Sequence, residues 1–371
     1  MTYFKKNAYI VKDTKTYIYA EEAKFKLAQK GDINILFIVI PQITNNRLKE
    51  RMEEMILQNN EWDEVHWVFT KSNSTVYHKI KGKRNNLTKK FIKYREYYYN
   101  YIDRFRMDQK FKKYSPCRFV ISTHKNTNEH LASILTPDQL ILVDSGHRVF
   151  KRVNKSGYID YSERIMRRSR ADRILFKLSG LSVYDREKTA LFTIYGDDLE
   201  TRHQIIENGF DHQQYLYRSK KVGKDIVWIS SPFYKMSENI SIDDYIDYIK
   251  SALNMLDVDI KNLTYIPHPG KQSEEEIRYI KKQLSCNIDD RDIPVEMKIV
   301  RYEHLPSMCI SPFSSSLANI YKASEGRISM VSAWHPEFSP FRIWDDWRES
   351  VEANKKLNIK FIDIEPRNSE I

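Results

Sequence analysis

The sequence is short of cysteine, of glycine and of long apolar runs, and each shortage excludes something. Three cysteines in 371 residues, Cys117, Cys286 and Cys309, sit in or beside apolar segments and form neither a paired framework nor a zinc-ligand spacing. They read as buried free thiols of a reducing compartment. Ten glycines are few for this length, and no glycine-rich turn follows the apolar run ending at Ile40. The opening Met1-Thr-Tyr-Phe-Lys-Lys6 lacks the apolar core of a secretory leader. No uninterrupted apolar run approaches the roughly 18–20 residues of a membrane span. The expected location is cytoplasmic.

Against these shortages stand an apolar fraction of 41%, enough for two proper cores, and 24 tyrosines, which point to helix-rich layers packed with aromatics. Lysine and arginine outnumber aspartate and glutamate by 61 to 50, a net charge of +11. That surplus suits an anionic partner: nucleic acid, a phosphorylated ligand, or the inner face of a plasma membrane touched peripherally. Charge alone does not choose among them.

The order of segments predicts an α/β protein. Ile33–Ile40 is a continuous apolar run of the kind buried in a parallel sheet, and a helix follows from about Arg47 to Gln58. Glu64–Thr70, Arg118–Thr123 and Leu140–Val143 read as further strands, with a basic, tyrosine-laden helix from about Leu87 to Phe111. Periodicity blurs between Phe150 and Gly223. Asp225–Ser230 then opens a second series: helix Ile242–Leu256, strand Leu263–Pro267, helix Ser273–Leu284, helix Glu296–Tyr302, strand Ser307–Ile310 and a helix from Ser315. A tryptophan-rich helix is expected after Pro340, reaching about Leu357.

Ligands of doubly wound domains bind at the carboxyl ends of strands. Three short constellations fall at such ends: Val143-Asp144-Ser145-Gly146-His147-Arg148, Ile266-Pro267-His268-Pro269, and Ser311-Pro-Phe-Ser314-Ser315-Ser316-Leu317. Read singly, they are a turn cap, a loop histidine and a helix-capping serine cluster. In this order, acidic-x-Gly, then His-Pro, then a serine cluster, they resemble the motifs of the bacterial sialyltransferases, including those that act on lipooligosaccharides and polysialic acid. Ile293-Pro294-Val295-Glu296 precedes the serines at about the spacing of that family's ribose-binding glutamate.

The resemblance implies two Rossmann-like domains of the GT-B type facing each other across a cleft. Residues 1–220 would bind acceptor, 221–340 would bind the nucleotide sugar, and 341–371 would return as a helix towards the first domain. It implies an inverting transferase that moves sialic acid, or a related acidic ulosonic sugar, from a CMP-activated donor to a glycan acceptor of a bacterial surface polysaccharide or lipooligosaccharide. His268, Pro269, Glu296, Ser314, Ser315 and Ser316 would hold the nucleotide, joined by Ser230 at the end of the strand that opens the second series. Asp144 would be the general base, with His147 in reserve, and Arg148 and His124 would face the acceptor. The family's usual acidic pair is here Asp144-Ser145, which leaves the base and the donated sugar open.

Neither cofactor nor metal is expected. Asp290-Arg291-Asp292 has the acidic-x-acidic form of metal-dependent transferases but reads as a loop after a helix. A second His-Pro, Trp334-His335-Pro336-Glu337, lies beyond the serine cluster and reads as structural. The alternatives are a transferase of this architecture using a UDP- or GDP-sugar, and a non-enzymatic nucleic-acid-binding protein. The sequence carries no recognised nucleic-acid module, and its basic residues spread through both halves, so no nucleic-acid partner is expected.

Overall fold

The computed structural model describes residues 5–41, 46–58, 61–70, 102–122, 126–143, 188–235, 240–268, 271–312, 314–334, 354–355, 357 and 359–364. The chain divides into two units, Met1–Asn208 and Gly209–Ile371.

The first unit is built on strands β1 (Lys6–Val11), β2 (Ile33–Pro41), β3 (Glu64–Thr70), β4 (Phe119–Ser122), β5 (Gln139–Val143), β6 (Thr189–Thr193) and β7 (Gln204–Glu207). They form one parallel sheet in the order β3-β2-β1-β4-β5-β6-β7. Helices α1 (Thr14–Leu27) and α2 (Asn46–Gln58), a helix over 102–111 (α3) and α4 (Asn126–Leu135) connect them. The order reverses between β1 and β4, the switch point of a Rossmann sheet. At the opposite, amino end of the same strands, Arg118 donates to Asp32 at 2.6 Å and to Asn7 at 3.1 Å, while Asn34 accepts from Asn7 and Tyr9. These side chains hold β1, β2 and β4 in register.

The second unit has strands β8 (Ile226–Ile229), β9 (Leu263–Ile266), β10 (Asn287–Ile288), β11 (Met308–Ser311), β12 (Ser329–Trp334) and β13 (Lys360–Asp363). All are parallel, in the order β10-β9-β8-β11-β12-β13, which is the Rossmann order again, with its switch point between β8 and β11. Its helices are α5 (Asp211–Arg218), α6 (Ile242–Met255), α7 (Glu274–Leu284), α8 (Val295–Val300) and α9 (Ser316–Ala323). Every residue of β8, Ile-Val-Trp-Ile, is buried, as a strand covered on both faces requires. Phe233 meets Tyr245 and Tyr248 edge-on at 5.0 and 5.2 Å, so tyrosines supply much of this core.

Helix starts follow local chemistry. Asp13 caps α1 in a capping box with Thr16, Ser241 caps α6 with Asp244, and Ser273 caps α7 with Glu276.

The structure adds elements the sequence pattern does not declare. The first strand of the first sheet is β1, and Ile33–Ile40 lies beside it as β2. Lys6 and Asn7 open β1 with polar residues, and α1 is buried continuously from Thr16 to Ala23, glutamates included, so neither shows the usual alternation or stripe. In the blurred region, β6, β7 and α5 are all short. α5 belongs to the second unit: the Tyr217 hydroxyl donates to the Glu296 carbonyl at 3.0 Å, and Gln214 donates to the Lys322 carbonyl at 3.2 Å. Lys360–Asp363, expected in a terminal helical segment, forms the edge strand β13, with Ile362 and Ile364 turned into the core. Of the expected helix Leu87–Phe111, the part up to residue 101 lies outside the described residues, as does most of the one after Pro340.

The core carries a direct expectation. Phe37, fully buried on β2, packs against Phe111 at 5.2 Å and Tyr114 at 5.9 Å. Phe37→Ala should cost about 3–5 kcal/mol in urea unfolding. Leu57→Ala, at a side chain 78% exposed on α2, should change stability by no more than about 0.5 kcal/mol.

Candidate functional site

At the switch point of the second sheet, three neighbouring strands deliver polar residues at their carboxyl ends. β8 ends at Ser230, β9 at Pro267 and His268, and β11 at Ser311, followed by Ser314–Ser316. The crevice between β8 and β11 is pinned by the Ser311 hydroxyl, which donates to the Ile229 carbonyl at 2.9 Å. One strand further, the Ser332 hydroxyl donates to the Pro312 carbonyl at 2.9 Å. Buried hydroxyls thus fix the strand ends from which the loops spring.

Ser230 and His268 are joined through one side chain. Gln272 Oε1 accepts from the Ser230 hydroxyl and from the His268 backbone N–H, each at 2.9 Å. Ser230 is buried, whereas His268 is half-buried at the rim.

The serine cluster opens α9. Ser314 Oγ accepts from the Ser316 N–H at 3.2 Å, and the Ser314 carbonyl accepts from the Leu317 N–H at 3.1 Å. The Ser315 side chain makes no capping bond, and no acidic residue stands in the first turn. By contrast, α6 and α7 begin with Asp243 and Asp244, and with Glu274, Glu275 and Glu276. Carboxylates neutralise the positive end of those two helices, whereas the first turn of α9 carries none of its own. The half-buried hydroxyls of Ser314, Ser315 and Ser316 stand beside it.

Glu296 lies in the first turn of α8 and is buried, with Oε1 accepting from Asn319 Nδ2 of α9 at 2.7 Å. The carboxylate therefore ties the short helix α8 to the helix that the serines open. Beside it, Asp289 accepts from Arg291 at 2.6 and 2.8 Å and from the Tyr302 hydroxyl at 2.9 Å, while buried Lys298 donates to the Asp289 carbonyl at 2.8 Å. Burial works to raise the Asp289 carboxyl, and Arg291, Lys298 and Tyr302 more than offset it, so it rests below the ordinary value. The Asp290-Arg291-Asp292 segment follows the two-residue strand β10, so it stands at a strand end and not directly after a helix. A two-residue strand carries no periodicity to announce itself.

Pro269 lies outside the described residues, as do Asp144, His147, Arg148 and His124 and the second His-Pro at His335. Among the described residues, no group of three or more histidine, cysteine, aspartate or glutamate side chains is placed to hold a metal ion. No helix among them is long and apolar enough to cross a membrane. Gln272, Ser332 and Asn319 emerge from the structure alone. Each is a single polar residue next to a strand or helix end, without a motif to mark it.

Two parallel sheets, each in Rossmann order and each with its own core, define the GT-B type of architecture. Solved structures share it. The structure titled LpCGTa in complex with UDP matches with a TM-score of 0.50 at 8% identity, over 96% of this chain and 84% of that one. The GT-B domain of a sialyltransferase from Photobacterium damselae, its residues 113–497, matches with a TM-score of 0.48 at 11% identity, over 96% of this chain and 99% of that one. A UDP-N-acetylglucosamine 2-epimerase matches with a TM-score of 0.48 at 9% identity, over 98% and 84% of the two chains. At these identities the likeness is one of fold. No protein-family model and no curated protein matches the sequence.

The buried lysine beside this region gives a pH dependence whose sign is fixed. Burial pushes the Lys298 ammonium down from its ordinary 10.5 to about 8, with Asp289 opposing the shift and Arg291 adding to it. Below pH of about 8 both states hold this proton, and the folded chain carries a desolvated charge. From about 8 to about 10.5 the unfolded chain holds more of the proton, so this group's contribution to stability rises with pH. The melting temperature of the parent relative to Lys298→Met should therefore climb between about pH 7 and about pH 9.5. A flat difference would show that Lys298 keeps its proton throughout.

Proposed function

We propose that the protein is an inverting glycosyltransferase that moves sialic acid, or a related acidic ulosonic sugar, from a CMP-activated donor to a glycan acceptor. The acceptor class is a bacterial surface polysaccharide or lipooligosaccharide, met at the inner face of the membrane. The observation that carries the proposal is the convergence of Ser230, His268 and Ser314–Ser316 at the switch point of the second sheet, beside a helix start free of carboxylates.

In this reading the phosphate of the donor lies over the start of α9. The serine hydroxyls hold it, and the helix dipole favours its charge. As the bond between the anomeric carbon and the phosphate oxygen breaks, negative charge grows on the phosphate. His268, held at the rim, donates to it and stabilises that charge where it forms. Glu296 accepts from the ribose hydroxyls. For that it must part from Asn319, its partner at 2.7 Å, or share the bond. The acceptor hydroxyl attacks the anomeric carbon from the face opposite the departing phosphate and gives its proton to Asp144, which follows β5, or to His147. No metal is required, because hydrogen-bond donors and a helix end meet the single phosphate.

A thermal-shift screen of nucleotides tests the donor class, since stabilisation follows affinity by mass action. CMP should stabilise the protein more than UDP or GDP do, and a preference for either diphosphate would transfer the proposal to that donor. His268→Ala should lower turnover by on the order of 10²–10³-fold, as loss of a donor to developing charge does elsewhere. Ser314→Ala and Ser315→Ala should weaken CMP binding. Parent-like binding and turnover in all three variants would show that the motif residues are not the site.

Asp144→Asn separates base from binding. It keeps the shape and removes the basicity, so turnover should fall by on the order of 10²–10⁴-fold with CMP affinity retained. An active Asp144→Asn beside an inactive His147→Ala would make His147 the base. Activity should survive a chelator. Loss with chelator and recovery with magnesium or manganese would return Asp290 and Asp292 to consideration.

A further inference from the structure

Gln272 lies just before the Ser273 cap of α7, and its amide joins the two strand ends that carry Ser230 and His268. Its orientation is not arbitrary. The His268 backbone N–H can only donate, so the atom facing it at 2.9 Å is the oxygen. The nitrogen then faces two phenols, donating to the Tyr265 hydroxyl at 2.8 Å and the Tyr234 hydroxyl at 3.3 Å.

With the amide fixed, every hydroxyl around it has a consistent direction. Tyr265 donates to Ser230 Oγ at 2.7 Å. Tyr245 receives the Trp228 indole N–H at 3.2 Å and donates to Ser230 Oγ at 3.1 Å. Ser230 passes its own proton to Gln272 Oε1 at 2.9 Å. In this arrangement the serine uses its one donor and both lone pairs, and Gln272 Oε1 also lies 3.2 Å from the Tyr265 hydroxyl. Burial raises both the Tyr245 and the Tyr265 hydroxyls above the ordinary tyrosine range, and the hydrogen bonds Tyr245 receives from its neighbours only partly oppose this. Such a network is rigid because each bond directs the next.

We infer that Gln272 is a positioning residue that locks the main chain at His268 to the end of β8. Within the turn, the Lys271 N–H donates to the His268 carbonyl at 3.3 Å, a local bond that shapes the turn without attaching it to β8. The Gln272 amide attaches the His268 N–H to Ser230, just beyond the last β8–β9 backbone bond from Ser230 N–H to the Ile266 carbonyl. Its consequence for catalysis rests on the donor-site reading above: the imidazole serves a phosphate only if its main chain stays fixed relative to the neighbouring strand ends.

Two variants test this in the full-length protein. Gln272→Leu removes both halves of the amide, and Gln272→Glu keeps an acceptor facing the His268 N–H. Without nucleotide, hydrogen exchange at the His268 amide should speed up about tenfold or more in Gln272→Leu and stay within about threefold of the parent in Gln272→Glu. With CMP as the probe, Gln272→Leu should bind about tenfold more weakly, because a donor that wanders must be ordered on binding.

An unchanged His268 exchange rate in Gln272→Leu overturns the positioning role, whether or not CMP binds. Exchange that responds in a parent that does not bind CMP overturns the donor reading and leaves the positioning role standing. If Gln272→Leu does not fold, Gln272→Ala takes its place, and an unchanged His268 exchange rate in it overturns the inference.

Discussion

Every strand of both sheets runs parallel to its neighbours, and that constraint governs where chemistry can occur. A parallel strand is covered on both faces, so its side chains belong to the core and its functional residues must wait until it ends. β8 shows the rule in four residues: Ile, Val, Trp and Ile are all buried, and the next residue is Ser230. The Rossmann order then decides which ends matter. Connections leave in opposite directions from β8 and β11, so the loops between them part and leave a crevice.

A crevice is useful only if its walls hold still, and in the second unit the walls are held by hydroxyls. Ser311 clasps the β8 carbonyl, Ser332 clasps the Pro312 carbonyl, and the phenols of Tyr234, Tyr245 and Tyr265 close round Ser230 and Gln272. This explains the tyrosine-rich composition in physical terms. A phenol fills core volume as phenylalanine does and also brings a hydrogen bond to a strand end. The first unit fixes the other end of its strands through Arg118, Asp32, Asn7 and Asn34, an ion pair and two amides joined by the Tyr9 phenol.

How much of this could be read beforehand follows from what each element shows in one dimension. Long apolar runs such as Ile33–Ile40 and amphipathic stretches such as Ile242–Met255 declare themselves, and so do residues that punctuate strand ends, such as Pro267 and the Ser314–Ser316 cluster. β1 and α1 do not, because polar residues open the one and burial surrounds the other. β10 is too short to have a period. Gln272 and Ser332 are legible only in three dimensions, because their meaning lies in which strand stands beside which. His268 could be singled out from its neighbours in sequence; the side chain that anchors it could not.

The capping box of α1 has a consequence for how labour divides between the units. α1 follows β1, the strand at the switch point of its sheet, and its first turn would be the natural seat for a phosphate. Asp13 already occupies that seat, its carboxylate accepting from the Thr16 N–H at 2.8 Å. The chain has placed its own anion where a ligand's would go. A phosphate arriving there would meet like charge and donors already engaged, while an uncharged molecule rich in hydroxyls would meet no such objection. The first turn of α1 is in this sense closed to a phosphate by one of the chain's own aspartates.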